Sequence, residues 1–280
     1  MAESYKHWKI EDLSWDRLDP SKVNPDLLKV IKAAALVEYG ADAYAEYLCR
    51  VFSDDPEFQA LARSWSWEEV QHGQALGAWA EKIDPEWSLE RAMAKFRAGY
   101  TPDHFNESGT GSSVRGSRSA EMVARCMVEV GTSSYYSAIG DSTDEPVLKE
   151  ICRHIAADEF RHYKLFYDTL NRYLEQENLG RIARLKVALG RIAESEDDEL
   201  SYAFYAANDD GVTPYDRRAC NRAYASRAYS FYQQKHVDRA IAMIFKACGF
   251  IPPSLPYRAI RQVAWFMMNR QTKKLQKMAA

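Results

Sequence analysis

Apolar residues recur along this chain at helical spacing, and no alternating strand pattern interrupts them. Breakers divide the periodic stretches. An arm carrying Pro20 runs to residue 24; one long helix is predicted over 26–52 and a second over 55–83. The connection over 84–117 holds a short helix at 88–98, then Thr101-Pro102-Asp103. The Gly/Ser-rich run from Ser108 to Ser119 is a loop by composition. Two more long helices are predicted over 119–140 and 145–177. Beyond about 180, periodic segments near 180–207, 215–247 and 255–276 are separated by Asp209-Asp210-Gly211 and Pro252-Pro253.

The informative exceptions are acids set inside apolar stripes. Glu38 stands among Ala34, Ala35, Ala41 and Ala45, and Glu129 among Met122, Cys126 and Ile139. A buried carboxylate is costly without a partner. Each of these glutamates precedes a Glu-x-x-His segment: Glu69-Val70-Gln71-His72 lies 31 residues after Glu38, and Glu159-Phe160-Arg161-His162 lies 30 after Glu129. One helical turn separates the carboxylate from the imidazole, so both project from one face. The halves match further. Val37-Glu38-Tyr39-Gly40 parallels Val128-Glu129-Val130-Gly131, and Tyr44 and Tyr135 each follow their glutamate by six residues. Asp54-Asp55-Pro56 and Asp144-Glu145-Pro146 each place the proline 13 residues before the second glutamate. An acid followed by proline is a helix start. Each half therefore reads as helix, short turn, helix, and antiparallel packing about that turn brings its two glutamates to similar height.

Glu38, Glu69, His72, Glu129, Glu159 and His162 together form the donor set of a two-iron or two-manganese site within a four-helix bundle. The chemistry requires these residue types. Two dications at ~3.5–4 Å repel each other and need anionic oxygen donors between them. Four carboxylates neutralise two Fe(II), and neutral imidazole leaves positions open for dioxygen. Asp158 is expected to accept the second N–H of a ligating histidine. His154 and His104 are read as ordinary solvated or core residues, and His7 and His236 as surface residues. Trp65 and Trp67 are read as core packing, and the cysteines as small buried hydrophobes.

Composition narrows the class. The 280 residues carry a net charge of −3, and the five cysteines form no C-x-x-C pair, which argues against a disulfide framework and against a Cys₄ iron centre. The start lacks an apolar signal region and no run of 18 apolar residues exists, so a cytoplasmic protein is expected. From Pro214 onward, 13 Lys/Arg face two acids, a net +11.

The stretch from Arg63 to Gly73, with Arg63, Trp65, Glu68, Glu69, His72 and Gly73 in an R-x-W-x-x-E-E-x-x-H-G pattern, resembles the soluble acyl-[acyl carrier protein] desaturases. Their second motif, D-E-x-R-H, is similar to Asp158-Glu159-Phe160-Arg161-His162, and Thr132 stands where they carry a threonine three residues after the third ligand glutamate. The resemblance covers about residues 30–175. It implies an all-α protein with a ferritin-like four-helix bundle over 1–178 and a helical C-terminal extension over 179–280 packed on it. It also implies a di-iron, oxygen-dependent oxidoreductase acting on an acyl chain or similar apolar substrate. The cofactor would be two Fe, with a Mn/Fe pair as the variant, and Thr132 would sit near the oxygen site. The implied partners are acyl carrier protein and a ferredoxin-type electron donor, docked on the basic C-terminal third, and a homodimer is expected. The glutamate spacings depart from this family; they are shorter than in plant-type desaturases and closer to rubrerythrins. The radical tyrosine of the ribonucleotide reductase small subunit would fall at Leu76. A rubrerythrin-like oxidase or peroxidase, an oxygenase of another carrier-bound substrate, and a non-catalytic iron-handling protein are the alternatives. A pocket beside the metals separates the substrate enzymes from storage.

Overall fold

Proline at the first helical position, behind a side chain that caps it, starts three of the long helices. Asn24 accepts the N–H of Asp26 ahead of Pro25, Asp55 that of Phe58 ahead of Pro56, and Glu145 those of Val147 and Leu148 ahead of Pro146. The computed structural model describes residues 7–100, 112–194, 198–209, 211–252 and 254–279. The fold is all-α, with no strand among the described residues. Its helices are α1 (Pro25–Tyr39), α2 (Ala41–Val51), α3 (Pro56–Ile83), α4 (Leu89–Gly99), α5 (Arg118–Ser142) and α6 (Pro146–Leu174). They continue with α7 (Arg181–Glu194), α8 (Asp198–Ala207), α9 (Arg217–Ala228), α10 (Gln234–Ala247) and α11 (Leu255–Ala279).

Three expected helices prove divided. The stretch predicted over 26–52 breaks at Gly40, which ends α1 and starts α2 with φ −86° and ψ 3°. Glycine is a weak helix former, and the break falls two residues after Glu38. The stretch over 180–207 is α7 and α8, and that over 215–247 is α9, a 3₁₀ turn at Tyr229–Phe231, and α10. The N-terminal arm makes three single 3₁₀ turns, and its Trp8 and Leu13 are buried. His104 and residues 108–111 of the Gly/Ser-rich run lie outside the described residues.

The caps also staple helices together. Asp55 accepts from Arg172 Nη2 at 2.6 Å and Tyr173 Oη at 2.7 Å, joining the start of α3 to the end of α6. Glu145 accepts from Trp79 Nε1 at 2.8 Å, joining the end of α3 to the start of α6. These helices therefore run antiparallel. Tyr47 bonds Glu121 at 2.8 Å and Tyr136 bonds Glu38 at 2.5 Å, which sets α1 and α2 antiparallel to α5 in the same way. α5 and α6 pack along their length, and α3 packs on α1 and α2.

These helices enclose two apolar clusters. One gathers Leu27–Leu36 side chains with Trp79, Ile139, Ile151 and Ile155; the other gathers Leu48, Phe58, Met122, Phe166 and Tyr173. The predicted ligands lie at sequence positions between the two. The C-terminal helices complete both clusters: α8 adds Phe204 to the first, and α7 and α10 add Ala188 and Ala247 to the second. α11 packs on α9 and α10 and leaves Ile260, Val263, Phe266 and Met267 exposed. No described helix is long and apolar enough to cross a membrane.

Candidate metal centre

Glu38 comes from the last turn of α1, Glu69 and His72 from the middle of α3, Glu129 from α5, and Glu159 and His162 from α6. All six are buried, the most accessible being Glu38 at 7 %. Their donor atoms form two overlapping groups: Glu38, Glu69, His72 and Glu159 in one, and Glu69, Glu129, Glu159 and His162 in the other. Within each, one atom from every residue lies within 4.8 Å of the rest. Glu69 and Glu159 belong to both groups; Glu38 and His72 to the first alone, Glu129 and His162 to the second alone.

Backbone approach makes this closeness achievable. A Cβ on Gly73 would come within 2.5 Å of the Tyr39 amide nitrogen, so only glycine after His72 lets the end of α1 lie against α3. That contact sets Glu38 beside Glu69. Tyr136 Oη then holds Glu38 Oε1 at 2.5 Å, and Arg125 Nη2 holds Glu129 Oε1 at 3.0 Å.

The histidines turn one nitrogen inward and one outward. His72 Nδ1 faces Glu69 Oε2 at 3.2 Å and Glu159 Oε1 at 3.3 Å, while its Nε2 meets Asp158 at 3.0 Å. His162 Nδ1 faces Glu69 at 3.0 Å and Glu159 and Glu129 at 3.7 Å, while its Nε2 meets Glu68 at 2.9 Å. Each imidazole is thus held by the acid that precedes the glutamate of the opposite motif. Arg161 Nη2 bridges those acids, at 2.9 Å from Glu68 and 2.5 Å from Asp158. Trp8 Nε1 donates to Asp158 at 2.7 Å, and its ring stacks over His72 with centroids 6.2 Å apart.

Carboxylates and imidazoles packed this closely shift one another's proton affinity. Burial first, and then the neighbouring Glu69 and Glu159 carboxylates, push Glu38 and Glu129 well above the usual carboxylate range. Burial alone would lower His72 and His162, but the surrounding carboxylates outweigh it and raise both imidazoles well above their ordinary value. Glu69 is held well below its usual range: burial would raise it, and the two imidazoles prevail. Glu129 Oε2, Glu159 Oε1 and His162 Nδ1 are nonetheless buried and make no well-aligned hydrogen bond among the described residues, although each lies within 3.7 Å of an oppositely charged neighbour. Buried polar atoms are normally bonded. Three unbonded donor atoms converging on the two groups fit a pair of cations, so the buried glutamates and histidines could hold metal ions.

No protein-family model matches this chain, and no curated protein matches it. The centre is therefore read from its own geometry.

Thr132 lies half-buried on α5, and its hydroxyl donates to Glu159 Oε2 at 2.6 Å. Asp158 accepts from a candidate ligand histidine, across the helix pair and not within its own motif. Trp65 packs in the core against Phe166, whereas Trp67 is 60 % exposed and is no core residue. His154 stacks on Trp8 at 5.1 Å and faces none of the ligands. His236 is no surface residue: it is buried, and its Nε2 lies 2.9 Å from Asp141. His7 sits 3.0 Å from Gln71 on the outer side of the Glu68–Asp158 layer. Trp8, Tyr136 and Arg125 were not singled out by spacing. Glu68 and Arg161 carried a signal as positions of the two motifs on which the resemblance rests.

Proposed function

We propose that this cluster is a two-iron centre in a ferritin-like four-helix bundle, and that the protein is an oxygen-dependent oxidoreductase similar to the acyl-[acyl carrier protein] desaturases. The observation that carries this reading is the pair of donor groups sharing Glu69 and Glu159. Two carboxylates common to both groups are what a metal pair requires to offset its mutual repulsion. The carboxylate and imidazole donors suit iron, and a Mn/Fe pair would use the same atoms.

Glu38 with His72 and Glu129 with His162 would complete one metal each. Asp158 and Glu68 fix the tautomer of those imidazoles by accepting from Nε2, leaving Nδ1 as the ligating atom. Thr132 holds a hydroxyl proton beside the shared Glu159 carboxylate. The apolar clusters on either side keep bulk water from the centre. A reduced iron pair bound there would supply electrons to dioxygen.

Desaturation takes two hydrogens from the substrate and forms a carbon–carbon double bond, while dioxygen becomes two waters. That balance needs two more electrons and two protons. The electrons would come from an external ferredoxin-type donor, because the five cysteines are free and form no C-x-x-C pair that would hold an iron–sulfur or rubredoxin-type centre. The exposed Arg258, Arg270, Lys273, Lys274 and Lys277 of α11 suit an acidic donor or acidic carrier protein.

Anaerobic loading with Fe(II) followed by metal analysis tests the reading, with two irons per chain expected. Exposure to oxygen with reduced ferredoxin and acylated carrier protein should then give a product lighter by two hydrogens. Failure to take up iron ends the metal-centre reading. Iron uptake with oxygen consumed and no lighter product would replace desaturation by a rubrerythrin-like oxidase. Accumulation well beyond two irons would replace it by iron handling.

A further inference from the structure

Beside the centre, α5, α6 and α10 enclose a cleft of about 410 Å³. A second cleft, about 260 Å³, is lined by residues such as Val51, Arg118 and Tyr173 and touches none of the six candidate ligands. The larger one has none of the six in its lining either, but it reaches Tyr136, a hydrogen-bond partner of one of them. Its inner wall is Tyr136, Cys152 and Ala156, all buried. Tyr136 is the residue whose hydroxyl holds Glu38. Ala156 and Phe160, also lining it, flank the ligand Glu159 in sequence on α6.

The outer rim is cationic. Arg153, Lys235 and Arg239 line it, against one acid, Asp141. That acid is already engaged: Lys235 Nζ lies 2.6 Å from it. His236 accepts the Gln233 backbone N–H at Nδ1, which places its own proton on Nε2, 2.9 Å from the same Asp141 oxygen. Arg153 and Arg239 have no carboxylate partner among the described residues. Arg239 lies over the Phe160 ring, 5.2 Å from its centroid. An apolar inner wall behind two guanidinium groups without a counter-ion is the complement of a molecule with an anionic head and an apolar body.

We propose that this cleft binds the substrate of the centre, and that the substrate is a small organic anion. Its carboxylate or phosphate meets Arg153 and Arg239, and its apolar body runs past Phe160 and Ala156 to Tyr136. The inference rests on the reading of the cluster as a metal centre. It replaces the carrier-bound acyl chain of that reading with a free anion, recognised by this chain directly.

Titration calorimetry with octanoate, octyl phosphate, 1-octanol and inorganic phosphate tests it, on metal-free and metal-loaded protein alike. One octylated anion should bind one per chain, and octanol and inorganic phosphate at least about tenfold more weakly, the worth of a charge-assisted hydrogen bond. Preference between octanoate and octyl phosphate identifies the head. Arg153→Gln with Arg239→Gln, both exposed, should cost the anion about tenfold or more and leave octanol unchanged. Ala157→Trp, at an exposed lining position, should block all three octyl compounds without changing metal content. In protein loaded with Co(II), the bound anion should shift the visible bands through Tyr136 and Glu38. Equal binding of octanol, an indifferent double variant, binding of inorganic phosphate as tight as octyl phosphate, or binding that leaves the Co(II) bands unmoved would each overturn the assignment. Metal content decides the other reading separately. A protein that loads two metals but binds no anion loses the cleft, and one that binds the anion but loads no metal loses the centre.

Discussion

His72 on α3 and Asp158 on α6 meet at 3.0 Å, and the partner pair, His162 on α6 and Glu68 on α3, meets at 2.9 Å. The two contacts exchange roles across the helix pair. An acid on the outer nitrogen keeps the inner nitrogen free for an ion and makes it a better donor. Asp158→Asn and Glu68→Gln preserve shape and remove the charge. Each should weaken metal binding about 10- to 100-fold while leaving the helix content unchanged. Competition with a chelator at fixed pH measures this. Unchanged affinity in both variants would reduce these acids to partners of Arg161.

Sharing of Glu69 predicts unequal consequences for Glu38, Glu129 and Glu69. Glu38→Gln or Glu129→Gln removes a donor from one group only, so metal content should fall from two per chain toward one. Glu69→Gln removes a donor from both groups and should leave neither site filled. Elemental analysis after anaerobic loading reads the difference. Equal losses in all three variants would mean that the groups do not act as two sites.

Much of this site could be read from the sequence because metal donors must recur at fixed helical spacing, and two copies of the spacing occur. Helix starts were equally legible at Asp55-Pro56 and Glu145-Pro146, where capping is local chemistry. The break at Gly40 was not, because a single glycine inside an apolar periodic stretch does not reveal whether the helix bends or continues. Trp8 reaches Asp158 across 150 residues and Tyr136 reaches Glu38 across 98. Contacts of that range leave no period to detect. The misplacement of His236 has the same cause: burial comes from α10 lying against α5, which no residue near His236 announces.

Gly73 and Gly131 should respond oppositely to the same substitution. A methyl at Gly73 would meet Tyr39 backbone nitrogen at 2.5 Å, whereas one at Gly131 meets nothing within 4 Å. Gly73→Ala should destabilise by about 1–3 kcal/mol through forced separation of α1 and α3. Gly131→Ala lies inside α5 and should be neutral or stabilising by up to about 1 kcal/mol. Urea unfolding of both variants checks the sign. A tolerated alanine at residue 73 would dissolve the argument that α1 is brought in at this glycine.

Thr132 tests whether a hydroxyl beside the shared carboxylate matters to the chemistry or only to packing. Its Oγ1 also bonds the Val128 carbonyl at 3.2 Å, an ordinary helix contact. Thr132→Val keeps the shape and removes the donor to Glu159. Metal content should stay at the wild-type level, and product formed per oxygen consumed should drop. A variant with wild-type coupling would leave Thr132 as a packing residue.

Proton competition fixes the pH behaviour of the centre. In the metal-free protein Glu38, Glu129, His72 and His162 all carry raised pKa values. Their contribution to stability is fully present below the ordinary values, 4.5 for the carboxyls and 6.5 for the imidazoles, and is lost as pH rises through the raised ones. Glu69 acts in the opposite sense: its contribution is present above 4.5 and fades only as pH falls through its depressed value. As pH rises through those raised values the metal-free protein therefore loses stability from the four groups while Glu69 contributes a constant amount. A metal pair requires those same four groups deprotonated, so its binding strengthens over the same range. The gap in melting temperature between loaded and metal-free protein should widen from about pH 6 to about pH 8.5, with protons released on loading at the lower end. Paired thermal scans, with proton release followed by a pH indicator dye in weak buffer, measure both effects. A constant gap with no proton release would mean that metal does not enter among these four side chains.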